Sequence, residues 1–300
     1  MSVDSATPAM DTFVCVTCGV QFAPSEQPPA ACPVCEDPRQ YVPESGQRWT
    51  TVAELAREHR NEVRADGDLT GIGTQPGFAI GQRALIVPST EGNLLWECIT
   101  LLDDETADAV ERLGGLAAIA ISHPHYYSAM VDWAHRFECP VLLHAADAEW
   151  IMRPDPAIEL WDGETRELGG LELVRCGGHF AGGTVLHWPG GAGGAGTLLC
   201  GDIVQVIPDR EHVGFMYSYP NLIPLPPASV AAIAGALEPY PFETIQGAWW
   251  GRTIARDAKA IVRRSAERYA RALEGEPGVE LGRRPTSTAL GREGEGAGGG

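Results

Sequence analysis

The sequence predicts an α/β fold, a sandwich in which strands and helices alternate in two halves, preceded by a small cysteine module. Three observations lead there. From about residue 77, short apolar runs split by Gly, Pro and Asn alternate with segments of helical spacing. Four cysteines before residue 36 fall into two C-x-x-C pairs. Three histidines and an aspartate stand where apolar runs end.

The elements follow in order. Thr50-Thr51 opens a helix expected over 52–63, with Val52, Leu55 and Ala56 at helical spacing and Glu54 in the first turn. Phe78-Ala79-Ile80, Ala84 to Val87 and Leu94 to Ile99 read as neighbouring strands, with Glu91-Gly92-Asn93 as a turn. Asp104 to Leu113 is a helix ended by Gly114-Gly115, and Leu116 to Ile121 a buried strand running into Ser122-His123-Pro124-His125. A helix over 129–137, a strand over 141–143 and a short helix over 145–152 follow. Strands are then expected over 165–168, 171–175, 184–188 and 197–200, and helices over 228–237 and 255–273. The glycine-rich 190–196 reads as a hairpin loop rather than a phosphate cradle, because no strand-then-helix context follows it. Gly, Pro, Glu and Arg dominate the end of the chain, so 275–300 is expected to be a disordered tail. The expected organisation is a cysteine module at 1–47, a linker helix at 48–66, the sandwich at 67–274 and the tail.

Composition narrows the function. With 44% hydrophobic and 21% charged residues, the 300-residue chain has a globular composition. Forty acidic against 22 basic side chains leave a net charge of −18, the wrong sign for gripping phosphates or an anionic bilayer. No apolar run approaches the length of a spanning helix, and Met1 to Met10 lacks the pattern of a secretory signal. A cytoplasmic protein is expected. Its expected partner is a small-molecule substrate, with no nucleic acid and no membrane, and a homo-oligomer is compatible with the sequence.

Cys15-Val-Thr-Cys18 and Cys32-Pro-Val-Cys35 stand thirteen residues apart. Each C-x-x-C turn supplies two soft ligands, and two such knuckles complete a tetrahedral site. A stretch of this size with almost no apolar core normally needs such a staple. With Gly19 after the first knuckle and Pro33 inside the second, residues 13–43 resemble a rubredoxin-like or zinc-ribbon module. Four sulfurs take either zinc or a single iron. Cys98, Cys139, Cys176 and Cys200 are scattered through apolar stretches and read as small core residues.

His123 and His125 flank Pro124 at the end of a buried strand, where residues two apart point the same way. His179 lies between glycine pairs in Cys176-Gly-Gly-His-Phe-Ala-Gly-Gly183, and Asp202 closes the apolar run Leu199-Cys200-Gly201. Any one of these alone is weak; four in this order form a metal-ligand pattern. His144 is a weaker candidate at a strand end. His135 is expected on the exposed side of its helix and His187 within a strand, and His59 and His212 have no partner that the sequence identifies.

In this order the residues resemble the metallo-β-lactamase-fold hydrolase superfamily over about 70–270, with its H-x-H-x-D-H motif, glycine-flanked His, Gly-Asp and final His. The resemblance implies an αβ/βα sandwich and a metal held by His123, His125 and His179, with Asp202 at the bridging position. The motif's Asp and third His fall on Tyr127 and Ser128, and Gly247-Ala248-Trp249-Trp250 stands where the last His belongs. One metal site survives and the second loses three ligands. Zinc, or iron, is the expected cofactor there, and zinc or iron at the four cysteines.

A single zinc site of three imidazoles leaves an open position for water. The implied function is a single-metal hydrolase of an ester, lactone, thioester or related bond, acting through a metal-bound hydroxide. Asp202 would complete the ligand set or orient the water, and Tyr127 would donate to a developing oxyanion. The alternatives are a mononuclear iron oxidoreductase resembling the persulfide dioxygenase branch, and a non-catalytic metal-binding protein. Substrate specificity is expected to lie in the loop over 210–227.

Overall fold

The computed structural model describes residues 10–275. The first nine residues and, past Gly275, the expected tail lie outside them.

Two mixed sheets face one another. The first has seven strands in chain order: Arg60–Asp66, Leu69–Gln75, Ala84–Ser89, Gly92–Trp96, Ala118–Ala120, Val141–His144 and Ile158–Trp161. The first four pair antiparallel and the last three join in parallel. The second sheet has six strands: Thr165–Leu168, Leu171–Arg175, Thr184–Trp188, Thr197–Leu199, Thr244–Gln246 and Thr253–Ile254. Only Thr197–Leu199 and Thr244–Gln246 pair in parallel, through a crossover that carries the helix Pro227–Leu237.

Strand periodicity builds three hydrophobic layers. Leu85, Val87, Leu94 and Trp96 point inward to meet Leu171, Leu173, Leu186 and Leu199 of the second sheet. Their neighbours Ala84, Ile86 and Leu95 point outward, into a layer shared with Trp133 and Met130 of the helix Met130–Phe137. On the outer face of the second sheet, Val174, Val185 and Ile245 pack with Val230 and Ile233 of Pro227–Leu237 and Ile261 and Val262 of Ala258–Glu274. Burying each such aliphatic side chain contributes roughly 1.5–3 kcal/mol.

The cysteine module is fused to the outer layer. Its four cysteines, Val20, Phe22 and Val34 belong to the same buried cluster as Ile99, Tyr127 and Met130. Polar contacts reinforce the joint: Gln21 donates to Asp132 (2.7 Å), Thr100 to the Gly19 carbonyl (2.9 Å), and the amide of Gln21 to the Ser128 carbonyl (3.0 Å).

Several expectations need correction. The helix expected over 52–63 is one turn, Val52–Leu55, closed by a capping box between Thr51 and Glu54. Residues 60–66 form the edge strand of the first sheet, paired with Leu69–Gln75 around Gly67, whose φ of +62° suits a tight hairpin. The linker segment 48–66 therefore ends in a strand rather than continuing as a helix. Phe78 to Ile80 is a turn rather than a strand, with Ala79 at φ +51°. Residues 145–150 form a 3-10 helix.

Candidate metal centre

Beyond the strand Ala118–Ala120 the chain bends at Ser122, His123 itself is extended (φ −168°, ψ 167°), and a 3-10 turn over Pro124–Tyr126 carries His125. Proline at the turn's first position sets the break. His179 comes from the glycine-flanked loop after Leu171–Arg175. A Cβ on Gly178 would lie 2.7 Å from Ile233, and φ there is +81°, so only glycine fits. Asp202 follows Thr197–Leu199. Gly201 precedes it at φ +50°, where a Cβ would meet Ser122 Oγ at 2.4 Å and Glu97 Oε1 at 2.7 Å.

These loops bring four buried side chains together. One ligand atom from each of His123, His125, His179 and Asp202 lies within 4.8 Å of all the others. His125 Nδ1 and His179 Nε2 are 3.3 Å apart, and His123 Nε2 is 3.7 Å from Asp202 Oδ2. A tetrahedron with metal–nitrogen bonds of ~2.0–2.1 Å has edges of about 3.3–3.4 Å, so the imidazole pair matches.

Tautomers agree with that geometry. His179 Nδ1 donates to the Met216 carbonyl at 3.0 Å, leaving Nε2 its lone pair. His123 Nδ1 lies 2.7 Å from Ser122 Oγ, and its Nε2 is buried with no hydrogen-bond partner among the described residues. Burial, and repulsion among the imidazoles, hold His123 and His125 well below the usual histidine range; burial brings His179 down to about 4. All three are neutral donors at pH 7, as a cation requires. Burial pushes Asp202 up to about 6 against the hydrogen bond from Gln205 (2.9 Å).

The four cysteines make the second cluster, again within 4.8 Å of one another. Cys15 Sγ to Cys35 Sγ is 3.6 Å and Cys18 Sγ to Cys32 Sγ is 3.7 Å. A tetrahedral site with metal–sulfur bonds of ~2.3 Å has sulfur–sulfur edges of about 3.8 Å, so the set fits zinc or iron. Hydrogen bonding from the other three thiols pulls Cys15 far down as a thiolate, while the same bonds push Cys18 and Cys35 up. All four remaining cysteines are free; Cys98, Cys139 and Cys200 are buried and Cys176 is half-buried.

A cavity of about 360 Å³ opens over the histidines, lined by His125, His179 and Asp202. Tyr219 and Pro220 reach it from the loop expected to set specificity, and Trp249 from the position of the missing last histidine. Trp250 turns away and lies in a notch over Gly71 and Gly73, where a Cβ would come within 2.6 Å of its ring. Beside it Arg83, 1% exposed, pairs with Asp66 and donates to the Gly247 carbonyl and Gln246 Oε1.

Tyr127, assigned above to an oxyanion, lies 2% exposed in the outer hydrophobic layer with Val20 and Phe22. Tyr126 is the tyrosine beside the ligands, its ring centroid 4.3 Å from that of His123. Ser128 faces the module side, accepting from Gln82 and donating to the Cys98 carbonyl. His144 accepts from the Ala146 amide and meets the Gly163 carbonyl, outside the ligand set.

Sequence reasoning also passed over Glu97. It is fully buried at φ +66°, accepts from the Ser122 amide at 3.1 Å, and is pushed up to about 8 by burial. A carboxylate inside Leu-Leu-Trp-Glu-Cys-Ile was the available signal.

YmaE of Bacillus subtilis (strain 168), an uncharacterized protein, is 46% identical over 271 residues, spanning 89% of this chain and 98% of YmaE. The chain belongs to the YmaE family. No protein-family model matches it. Among solved structures, VMB-1 superposes with a TM-score of 0.53 at 12% identity over 71% of this chain and 98% of that one. A B3 metallo-β-lactamase described as the first with an active-site glutamic acid gives 0.47 at 17% identity over 74% and 93%. This YmaE relative has the metallo-β-lactamase fold. Among the described residues no helix is long and apolar enough to cross a membrane.

Proposed function

We propose that the chain is a single-metal hydrolase acting on an ester, lactone, thioester or related bond. The observation that carries the reading is the convergence of His123, His125, His179 and Asp202, with neutral imidazoles and a His125–His179 edge of metal-site size, where His125, His179 and Asp202 line a cavity. Zinc or iron held there would supply a Lewis acid and lower the pKa of a bound water toward about 7.

The chain's own groups do the rest. The Met216 carbonyl and Ser122 hydroxyl orient His179 and His123. Asp202, steadied by Gln205, stands beside His123, where it can complete the ligand set or accept a proton from water. Tyr219 braces the same residues, donating to the Asp202 carbonyl at 3.0 Å with its ring 5.8 Å from that of His179. Tyr127, Ser128 and Trp249 at the second metal's ligand positions support one metal rather than two.

The test is elemental analysis of purified full-length protein together with an ester, lactone and thioester panel. The expected result is one metal beyond the cysteine site and turnover that a chelator abolishes. A full site with no turnover on the panel would leave a non-catalytic metal protein. A second reading, a mononuclear iron oxidoreductase, draws support from Thr17, which lies between Cys15 and Cys18 and lines the same cavity as His125. Iron at both sites would favour it.

A further inference from the structure

Part of the wall of the histidine cavity comes from the cysteine module. Thr17, Gln40 and Tyr41 line the same space as His125, His179 and Asp202. Thr17 sits inside the first knuckle, and Gln40 and Tyr41 closely follow the second.

The segment that carries Gln40 and Tyr41 is held rigidly. The Asp37 amide donates back to the Pro33 carbonyl at 3.1 Å, tying the segment to the turn that bears Cys35. The Arg39 guanidinium pairs with Asp37 (2.6 Å and 2.9 Å), lies 3.7 Å from the Phe180 ring centroid and donates to the His179 carbonyl at 3.3 Å. From the other side Ser218 Oγ donates to the Arg39 carbonyl (3.0 Å), and Asn221 Nδ2 to the carbonyls of Pro38 and Gln40 (2.9 Å each). The backbone of 38–40 is thereby fastened to the loops that hold His179 and Tyr219. The Gln40 side-chain amide makes no hydrogen bond among the described residues, although Gln40 is only 7% exposed.

Charge narrows what such a wall can bind. Among the described residues no Lys or Arg lines the cavity, and the one carboxylate there, Asp202, belongs with the histidines. Arg39 is neutralised by Asp37 and aimed at Phe180. The polar groups that remain are neutral, such as the Thr17 hydroxyl and the amides of Gln40 and Gln205, flanked by Trp249. An ionised end of a substrate would be desolvated there with no counter-charge, whereas a neutral polar end finds donors and acceptors.

We propose that the cysteine module is the substrate-recognition wall of the histidine site, with Thr17, Gln40 and Tyr41 reading the far end of an uncharged acyl substrate. The reaction named in this inference rests on the hydrolase reading, but the binding does not. The cysteine cluster, by shaping the knuckle and the segment behind it, sets KM more than kcat.

The test compares two esters of equal acyl length, p-nitrophenyl butyrate and mono-p-nitrophenyl succinate, on the metal-loaded full chain. Binding of the corresponding anilides, butyranilide and succinanilic acid, is followed by saturation-transfer NMR. Wild type should favour the neutral ester at least tenfold in kcat/KM, mainly through KM. Gln40→Lys and Tyr41→Lys should each move the ratio at least fivefold toward the anionic ester. Gln27→Lys, the same charge change at an exposed module position off the cavity, should leave the ratio within twofold. Tyr41 is 49% exposed, so its variant folds even if a lysine at the buried Gln40 does not. A wild-type preference for the anionic ester, or Tyr41→Lys behaving like Gln27→Lys, overturns the proposal and leaves the hydrolase reading intact. If neither ester turns over, the anilides decide. Neutral preference that Tyr41→Lys reverses upholds the wall while the hydrolase reading falls, and no anilide binding overturns both.

Discussion

Replacing His179 with Ala removes one imidazole from a set whose four ligand atoms lie within 4.8 Å of one another. Disturbing a residue that merely orients a metal ligand typically costs about 10–100-fold in affinity. His179 presents Nε2 itself, 3.3 Å from His125 Nδ1, so its loss should exceed ~100-fold. Two histidines and Asp202 remain, a weaker set that should yield the metal to a chelator. The folded state loses the donor to the Met216 carbonyl, about 1 kcal/mol, and the packing of a buried ring, roughly 2–3 kcal/mol more, still within the usual stability of a domain. Metal loss should therefore occur without unfolding. The assay is elemental analysis per chain after dialysis against a weak chelator, with circular dichroism beside it. Stoichiometry should fall from two to one, the cysteine site staying full, and any hydrolysis should vanish. His135→Ala is the control, since its side chain is 55% exposed and its contact with Asp155 is worth at most about 1 kcal/mol. Full metal content and full activity in the His179 variant would refute the ligand assignment.

Cys32→Ser with Cys35→Ser should remove the other metal equivalent and speed amide exchange across residues 13–47, because thiolate ligation supplies much of that module's folding free energy; unchanged exchange would contradict it. Gly71→Ala places a methyl 2.6 Å from the Trp250 ring, wedged over Gly71 and Gly73, and should cost about 1–3 kcal/mol in urea unfolding. Glu97 titrates near 8 in the folded chain and near 4.3 unfolded. Between those values the folded chain keeps a proton that the unfolded chain has released. Stability therefore falls as pH rises, by up to about 1.4 kcal/mol per unit. Glu97→Gln, uncharged throughout, should flatten that decline over about pH 5–8, and parallel stability curves for the two proteins would count against it.

Much of the site was legible in the sequence. Ligands of a metal announce themselves through local chemistry: two C-x-x-C knuckles, a His-Pro-His at the end of an apolar run, a histidine between glycine pairs, a Gly-Asp after a strand. Each signal is complete within a few residues. Ala84 to Val87 is apolar at every position, so only the two layers packed on the sheet sorted Leu85 and Val87 from Ala84 and Ile86. Local spacing misled where two patterns overlapped. Val52, Leu55 and Ala56 fit a helix, but the chain past Leu55 gains more by pairing seven residues across the Asp66-Gly67-Asp68 turn. That choice depends on the partner strand.

The sequence by itself thus determined which side chains are candidate ligands and where the apolar strands run, because covalent spacing and local hydrophobicity decide both. The tertiary structure alone decided who stands beside the ligands. Tyr126 rather than Tyr127 faces His123, because the 3-10 turn rotates one ring toward the site and its neighbour into the core. Glu97 and Ser122 lie behind the histidines because two parallel strands end side by side. Thr17, Gln40 and Tyr41 reach a cavity whose histidines and aspartate lie more than eighty positions away, because Arg39 stacks on Phe180 and Asn221 grips the backbone around it. Such contacts join segments through packing and long-range hydrogen bonds, and neither leaves a periodic trace in the order of residues.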